Sequence, residues 1–321
     1  MRGGFLVAAA VVMAALVSVP AAGLAGSEAE QQVFVVVAVG DIAQEQLPRY
    51  NLGRNQYDDV ADLIYGLGAD RFLMLGDGQH NDGTYDNYMT YYDTYFSKVK
   101  DITCPVVGNH DYYTSDSAEG YFAYFGELAH GPYGYYSFDL GSWHVIALNS
   151  QIPRLYDHTE PGNPAYDQHQ WLMSDLESHP EEDYAGIIAY MHHPVYDWEL
   201  YDNADWYYSY EIEPQAHLWQ ALYDGGVDMV LSGHNHNYQR WLPQDALGNY
   251  DPDGVTQFVA GTGGSYLWSF PNSESPANLV SSLESDFGVL RLTLYEDRYD
   301  FEFVATDGEI LDSGYGIVCV K

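Results

Sequence analysis

Several apolar segments of this sequence end in side chains that can bind a metal ion. A single Gly-Asp ending is often only a turn that closes a strand, so one such ending carries little weight. Here five segments end in polar residues, and in an open α/β sheet the carboxyl ends of the strands meet at one edge, where ligands bind. A polar cluster at such a dry edge needs a charge partner. The pattern therefore predicts a cation site built from Asp41, Asp77, Asn109, His192, and the pair His234 and His236.

The residue types at these positions indicate which cations would bind. Carboxylate, amide oxygen and imidazole ligands suit Zn, Mn or Fe, and no cysteine lies among them. Two ions ~3.5–4 Å apart need a group with two oxygens between them, and Asp77 could offer one oxygen to each ion. Two carboxylates would leave the site with a charge of about +2, which attracts a phosphate dianion. This chemistry predicts hydrolysis of a phosphate ester by a metal-activated hydroxide.

Strands that alternate with helices would bring these residues to one edge. The apolar, β-branched runs before the polar residues are predicted as buried strands, and amphipathic spacing predicts helices between them. The alternation favours βαβ units and a mainly parallel sheet, which is an α/β fold. The predicted strands are Val33–Val39, Arg71–Leu75, Thr103–Val107, Tyr135–Leu140, His144–Asn149, Gly186–Met191, Met229–Leu231, Gln257–Ala260, Val289–Tyr295, Tyr299–Val304 and Tyr315–Val320; the predicted helices are Tyr57–Leu67, Tyr85–Val99, Gln168–Leu176 and Pro214–Tyr223.

The charge balance limits the partners that this protein could have. There are 47 acidic residues and 11 basic residues, which gives a formal net charge of −36. Such a surface repels nucleic acids and anionic membranes, so neither is expected as a stable partner. Repulsion of this size destabilises the folded state unless salt screens it. The composition fits an acidic secreted protein or one adapted to high salt, and adaptation predicts that added salt raises stability.

The N-terminal segment has the order of a secretory signal peptide. Arg2 supplies a positive charge, an apolar run extends from Phe5 to Val17, and Ser18 to Ser27 is rich in Pro, Ala and Gly. The run is shorter than the ~20 residues of a spanning helix, so cleavage is expected instead of anchoring. This predicts a signal peptide over 1–26, a single catalytic domain over 27–321, and secretion to an extracellular or periplasmic space, without membrane contact after cleavage.

Three other features have a structural as well as a functional interpretation. Cys104 and Cys319 could form one disulfide in an oxidising compartment, yet both lie in apolar runs where buried free thiols are common. His144 lies inside a predicted strand and is interpreted as a structural residue. The glycine-rich segment that begins at Gly261 could cradle a phosphate, but it is interpreted as a structural turn.

The polar motifs, in their order along the chain, resemble those of the calcineurin-like metallophosphoesterase superfamily, and within it the purple acid phosphatase-like branch of secreted phosphatases. The resemblance covers roughly Val33 to Val320, and the last three motifs are specific in combination. It implies a four-layer α/β/β/α sandwich of two mixed β-sheets flanked by helices. The motifs are Gly40-Asp41, Gly76-Asp77, Gly108-Asn109-His110-Asp111, His192-His193-Pro194 and Gly233-His234-Asn235-His236.

The resemblance also implies roles for the matching residues around two metal ions. His110 matches the histidine that contacts the substrate and can protonate its leaving group. The remaining matches are metal ligands: Asp77 is the bridging carboxylate, Asp41 and His236 belong to the first metal, and Asn109, His192 and His234 belong to the second.

One position departs from the family pattern. Purple acid phosphatases have a tyrosine three residues after the bridging aspartate, and its phenolate binds ferric iron and gives the colour. His80 occupies that position here. Histidine can also bind a metal, but it is neutral where phenolate is anionic. We therefore expect His80 to be a ligand, the protein to lack the purple colour, and the two ions to be divalent Fe, Zn or Mn.

Together these features predict a secreted enzyme that hydrolyses phosphate monoesters, with a small phosphate ester as its substrate. A phosphodiesterase or a nucleotidase could use the same metal site, because the surrounding loops rather than the ligands decide between these substrates. A non-catalytic protein that binds a phosphorylated ligand, or a protein with a purely structural metal, is a further interpretation. The sequence does not indicate the oligomeric state.

Overall fold

The computed structural model describes residues 32–45, 56–198, 213–271 and 274–319, and the predicted signal peptide lies outside the described residues. In chain order the strands are β1 (Phe34–Val39), β2 (Arg71–Met74), β3 (Thr103–Pro105), β4 (Tyr136–Leu140), β5 (Trp143–Ala147), β6 (Gly186–Met191), β7 (Met229–Ser232), β8 (Tyr238–Trp241), β9 (Thr256–Ala260), β10 (Leu279–Leu283), β11 (Gly288–Leu294), β12 (Tyr299–Ala305) and β13 (Ile310–Ile317).

The α-helices lie mostly between the parallel strands. They are α1 (Tyr57–Gly66), α2 (Tyr85–Asn87), α3 (Asp93–Phe96), α4 (Glu119–Phe125), α5 (Ile152–Leu155), α6 (Pro164–Ser178) and α7 (Glu213–Asp224). A π-helical turn joins α2 to α3 and a 3₁₀ turn follows α3, so residues 85–102 form one continuous helical segment. None of the helices in the described ranges is long and apolar enough to cross a membrane.

The strands form two mixed sheets. The first sheet has the order β13-β12-β11-β1-β2-β3, and the second has the order β10-β8-β9-β7-β6-β5-β4. Parallel pairing joins β1, β2 and β3 in the first sheet and β5, β6, β7 and β9 in the second. Antiparallel strands extend each sheet beyond these parallel parts. The alternation of strands and helices thus predicted the parallel parts, and the two mixed sheets implied by the family resemblance are confirmed.

Helices cover the outer face of each sheet, which completes the predicted four layers. In β1, Val36 and Ala38 pack in the core between the two sheets, whereas Val37 and Val39 pack in a second core beneath the helices. A third core lies between the second sheet and helices α6 and α7, where Leu172 is fully buried. A strand that is buried on both faces has a continuous apolar sequence, which is why the central strands could be predicted.

The outer strands differ most from the prediction. β13 begins at Ile310, whereas we predicted a strand over Tyr315–Val320, and most of its residues are partly or fully exposed. β8 and β10 pair at one end of the second sheet, and neither was predicted. These strands are partly solvated or very short, so they lack the apolar run that identified the central strands.

Both cysteines are free thiols in this structure. Cys319 belongs to the core between the sheets, and Cys104 packs against the same core. Burial raises the pKa of the Cys104 thiol to about 11, so this cysteine stays protonated and unreactive near neutral pH. The sequence allowed either a disulfide or two buried free thiols, and the structure supports the free thiols.

Candidate metal centre

The predicted site residues, which are the metal ligands and His110, lie in the segments that follow five parallel strands. The first sheet supplies Asp41 after β1, Asp77 and His80 after β2, and Asn109 and His110 after β3. The second sheet supplies His192 after β6, and His234 and His236 after β7. The structure brings all of these side chains together, so the cluster contains groups from both sheets. The roles of the metal ligands and of His110 stay predictions.

Three of these residues have a backbone conformation that is rare for residues other than glycine. The φ angles are 60° at Asp41, 47° at Asp77 and 68° at His234. A positive φ at such a residue costs of order 1–3 kcal/mol and persists where the surrounding structure imposes it. Strained residues of this kind concentrate at functional sites, and three of the five in the described parts of the chain belong to the cluster.

Glycines beside the cluster allow its segments to approach closely. A Cβ atom at Gly76 would lie 2.6 Å from Cγ of His192, and one at Gly233 would lie 2.8 Å from Oδ2 of Asp41. Neither distance leaves room for a methyl group. Close packing therefore requires glycine at both positions, whether or not the residue also forms a turn.

Asp41, His80 and His236 form the first group of the cluster. Oδ1 of Asp41 lies 3.3 Å from Nε2 of His236 and 3.9 Å from Nε2 of His80. The two Nε2 atoms are 2.9 Å apart. Nδ1 of His236 donates to the carbonyl of Tyr266 at 2.8 Å, which assigns the proton to Nδ1 and leaves the Nε2 lone pair for a ligand role.

Asn109, His192 and His234 form the second group. Oδ1 of Asn109 lies 2.9 Å from Nε2 of His192 and 3.0 Å from Nδ1 of His234. Nδ1 of His192 donates to the carbonyl of Leu75 at 2.8 Å, so its Nε2 also presents a lone pair to the cluster. The second group is thus arranged on the same principle as the first, with a backbone carbonyl that orients a histidine.

Asp77 lies between the two groups. Its Oδ2 is 3.2 Å from Nε2 of His192 in the second group and 4.0 Å from Nε2 of His80 in the first. Its Oδ1 accepts a hydrogen bond from the backbone N–H of His110 at 2.9 Å. We expected one oxygen of Asp77 to serve each metal, but the structure directs Oδ2 toward both groups, because the backbone of the next loop occupies Oδ1.

The buried oxygen atoms of the two aspartates test whether cations fit this cluster. Oδ1 of Asp41 and Oδ2 of Asp77 are buried and accept no hydrogen bond from any residue that the structure describes. A buried carboxylate oxygen without a donor is costly. Both oxygens instead face the lone pairs of imidazole nitrogens, which cannot satisfy them unless a proton or a cation lies between. The donor set of carboxylate, amide and imidazole fits divalent transition metals.

The charges of the cluster are strongly coupled. Burial opposes ionisation of Asp77, but the positive charges of His192 and His110 outweigh it and hold the pKa of Asp77 well below its usual range. Burial opposes the charged form of His192, but the carboxylate of Asp77 outweighs it and raises the pKa of His192 to about 9. Burial, together with neighbouring histidines, lowers the pKa of His80 and His234. A metal at the second group would therefore displace a proton from His192.

His110 lies at the open side of the cluster. Its side chain is 16% exposed, whereas those of His192 and His236 are fully buried. Nε2 of His110 is 3.8 Å from Oδ2 of Asp77, and Nδ1 is 3.2 Å from the carbonyl of Asn81. This position suits the predicted role, because a group that protonates a substrate must be reachable from solvent while the metal ligands are not.

Asp111 is a residue of the site to which the sequence analysis gave no role. It is buried, its Oδ2 accepts from the N–H of Gly108 at 2.9 Å, and its Oδ1 accepts from the hydroxyl of Tyr88 at 2.7 Å. These bonds fasten the loop that carries Asn109 and His110. Its place at the end of the Gly-Asn-His-Asp motif, beside two predicted site residues, is the signal that could have indicated a supporting role.

The glycine-rich segment after β9 has the structural role that we predicted. The backbone N–H of Gly261 donates to the carbonyl of Asn237, and that of Gly263 donates to the carbonyl of Gly40. The N–H of Ser265 donates to the carbonyl of Asp41. These donors are engaged with the backbone of the metal-binding loops, so the segment supports the cluster and does not offer them to a phosphate.

Comparisons with known proteins agree with this arrangement. The calcineurin-like phosphoesterase family matches residues 34–238. Purple acid phosphatase 21 of Arabidopsis thaliana is 30% identical over 167 residues, which are 51% of this chain and 35% of that protein. Acid phosphatase type 7 of Danio rerio is 25% identical over 276 residues, which are 78% of this chain and 60% of that protein. The chain spans less than half the length of the first curated relatives that it matches.

Solved structures with the same fold come from proteins of different kinds. A purple acid phosphatase from yellow lupin (Lupinus luteus) seeds aligns with a TM-score of 0.64 and 20% identity, over 88% of this chain and 53% of that one. GAP50, the anchor in the inner membrane complex of Plasmodium, aligns with a TM-score of 0.64 and 15% identity, over 90% of this chain and 89% of that one. At such low identity these structures show the fold alone. The family match covers most of the chain, and the motif residues lie together at one edge. This protein therefore belongs to the calcineurin-like phosphoesterase family.

Proposed function

We propose that this chain is a phosphatase that hydrolyses phosphate monoesters with two divalent metal ions. The observation that carries the proposal is the pair of buried aspartate oxygens, Oδ1 of Asp41 and Oδ2 of Asp77, which have no hydrogen-bond donor in the described structure. Each faces imidazole nitrogens at 3.2–3.3 Å. Asp41, His80 and His236 would hold one ion, Asn109, His192 and His234 would hold the other, and Asp77 would contact both.

The charge of the site supports a phosphate monoester as the substrate. When bound, two divalent ions polarise the phosphoryl oxygens and lower the pKa of a water molecule toward ~7. The carboxylates of Asp41 and Asp77 offset only part of that charge, so a phosphate dianion is attracted into a protein whose formal net charge is −36. The buried ligands exclude bulk water from the base of the site, which strengthens this attraction.

His110 would protonate the oxygen of the leaving alcohol. The carbonyl of Asn81 lies 3.2 Å from its Nδ1 and fixes a proton there. In the imidazolium form, Nε2 carries the second proton on the side of Asp77 and of the reacting phosphate. The contact of its backbone N–H with Oδ1 of Asp77 keeps the ring beside the metal ligands.

The donor set limits which ions would bind. Fe, Zn and Mn all suit these ligands, and His80 stands where a phenolate would favour ferric iron. We therefore propose a pair of divalent ions and a protein that lacks the purple colour. We also propose that the protein is secreted, which rests on the N-terminal sequence over residues 1–26.

Metal analysis together with an activity assay tests the proposal. The purified protein should contain two equivalents of Fe, Zn or Mn and should hydrolyse a monoester such as phenyl phosphate. Asp77→Asn removes the charge shared by both groups, so turnover with metal supplied should fall by more than about tenfold. Asp101→Asn is the control, because Asp101 is exposed in the 3₁₀ turn before β3, at the other end of the sheet.

The alternatives predict different results in the same experiment. Faster turnover of a diester than of a monoester would favour a phosphodiesterase. Binding of inorganic phosphate without turnover of either ester would favour a non-catalytic binding protein. Unchanged turnover in Asp77→Asn would contradict the role given to Asp77.

A further inference from the structure

Tyr113 is an exposed aromatic residue that the proposed reaction does not use. It follows the 3₁₀ turn His110–Tyr112, and it is 61% exposed. Its ring centroid lies 4.3 Å from that of His110, with the two planes inclined by 36°. Its hydroxyl accepts a hydrogen bond from Nδ2 of Asn109 at 3.1 Å. Two contacts therefore hold this ring in a defined place, although more than half of the residue is open to solvent.

This place is where the leaving alcohol of a substrate would lie. If His110 protonates the leaving oxygen, the carbon skeleton of the alcohol must extend away from the buried ligands, toward solvent. Tyr113 stands beside His110 at this open side, so its ring would run along the alcohol. An aromatic ring in contact with another aromatic ring gains more than its buried area alone provides.

The other side of the cluster is also aromatic. The ring of Trp268 stacks on that of His236 at 4.4 Å with an interplanar angle of 3°. Tyr266 contacts both His236 and His80, with ring centroids 4.4 and 5.5 Å away. Aromatic rings therefore line the metal cluster from more than one direction, and Tyr113 is the most exposed of these three.

Tyr113 and Tyr266 carry uncharged phenol rings near neutral pH, because the ordinary pKa of tyrosine is about 10. A neutral aromatic surface suits an uncharged ring on the substrate and offers nothing to a second anionic group.

We propose that Tyr113 determines substrate specificity by stacking against an aromatic ring in the leaving alcohol. The preferred substrate class is then phosphate monoesters whose alcohol carries an aromatic ring close to the phosphate. This inference rests on the proposed phosphatase function, since it takes the position of the alcohol from the role of His110.

A purely structural role for Tyr113 makes a different prediction. In that case the residue matters only through its hydroxyl, which holds the amide of Asn109. Tyr113→Phe removes the hydroxyl and keeps the ring, whereas Tyr113→Leu removes both the hydroxyl and the aromatic face. Comparing the two variants separates the ring from the hydrogen bond.

The test compares benzyl phosphate with cyclohexylmethyl phosphate, whose alcohols have similar size and similar acidity. The wild-type protein should prefer the benzyl ester by about two- to tenfold in kcat/KM. Tyr113→Phe should keep this preference, and Tyr113→Leu should reduce the ratio to about one. Tyr250→Leu is the matched control and should keep the wild-type ratio, because Tyr250 is 58% exposed and lies between β8 and β9, at the end of the second sheet opposite the ligands.

Binding of two non-hydrolysable analogues, benzylphosphonate and cyclohexylmethylphosphonate, to the metal-loaded protein gives a second measurement. If the wild-type protein hydrolyses neither ester, the proposed function fails, and the ratio of the two dissociation constants still decides the role of Tyr113. Equal binding and equal kcat/KM for the two ring types in the wild-type protein would overturn the inference. An unchanged preference in Tyr113→Leu would also overturn it.

Discussion

Gly108 packs against the side chain of Asp77, and its replacement by alanine should disable the metal centre. A Cβ atom at this position would lie 2.6 Å from Cγ of Asp77. Carbon atoms in contact are about 3.5–4.0 Å apart, so one of the two segments would have to move by about 1 Å. One of these segments carries the carboxylate of Asp77, which faces both groups of ligands. The other is the loop that carries Asn109 and His110.

The expected effects follow from the size of this displacement. Overpacking of this kind destabilises a protein by about 1–3 kcal/mol. A shift of about 1 Å in a catalytic group can reduce turnover by about a hundredfold. Gly108→Ala should therefore retain the fold and lose both bound metal and activity. The measurements are metal content after dialysis, turnover of phenyl phosphate with metal supplied, and unfolding in urea.

Gly66→Ala is the matched control for this substitution. Gly66 is the last residue of α1, and a Cβ atom there would have no heavy atom within 4 Å. Alanine at such a position should leave activity unchanged and should stabilise the protein by up to about 1 kcal/mol. If Gly108→Ala kept the metal content and turnover of the wild-type protein, the close approach of this loop to Asp77 would not be what organises the centre.

The remaining predictions concern charge and support outside the ligand set. His144 donates to Asp139 at 2.8 Å and to Asp175 at 2.9 Å, and although burial opposes its charge, these bonds raise its pKa. The stability lost in His144→Gln should therefore be largest below about pH 6.5 and should shrink as the pH rises through the higher folded pKa, as unfolding in urea at several pH values would reveal. Asp111→Ala should lower the free energy of unfolding by about 2–5 kcal/mol because it leaves two buried donors unpaired. Asp111→Asn should cost less, because its amide oxygen can accept from the N–H of Gly108 and its amide N–H can donate to the hydroxyl oxygen of Tyr88; equal unfolding free energies for the two variants would contradict this. Added salt should raise the melting temperature, and a melting temperature independent of salt would exclude a stability cost from the net charge of −36.

The central part of the fold and the position of the cluster could be predicted because their signals are local. The strands that supply the cluster are short apolar runs, and most of them are followed by a glycine and a polar residue, as in Gly40-Asp41 and Gly76-Asp77, whereas His192 follows its strand directly. Parallel strands that end at one edge must bring such residues together, and the structure places all the predicted ligands there. The outer strand β13 was misplaced because an exposed strand needs no apolar run.

Other features depend on contacts between distant parts of the chain and had no signal in the sequence. The use of Oδ2 of Asp77 by both groups depends on the backbone of His110, which occupies Oδ1. His144 was interpreted as a structural residue, but its partner Asp175 lies 31 residues away on another element and could not be predicted. Tyr113 was one of 31 tyrosines, and only the structure distinguishes it by its contact with His110.

The residues of the cluster come from both sheets, so a bound ion would stabilise the fold as well as take part in catalysis. The first sheet contributes Asp41 and Asp77, and the second contributes His192 and His236. An ion gripped from both sides would act as a cross-link, so its binding energy would add to the cohesion of the sandwich by thermodynamic linkage. The lifetime of the folded protein would then depend on the concentration of available metal. A low metal concentration would shorten that lifetime as well as stop catalysis.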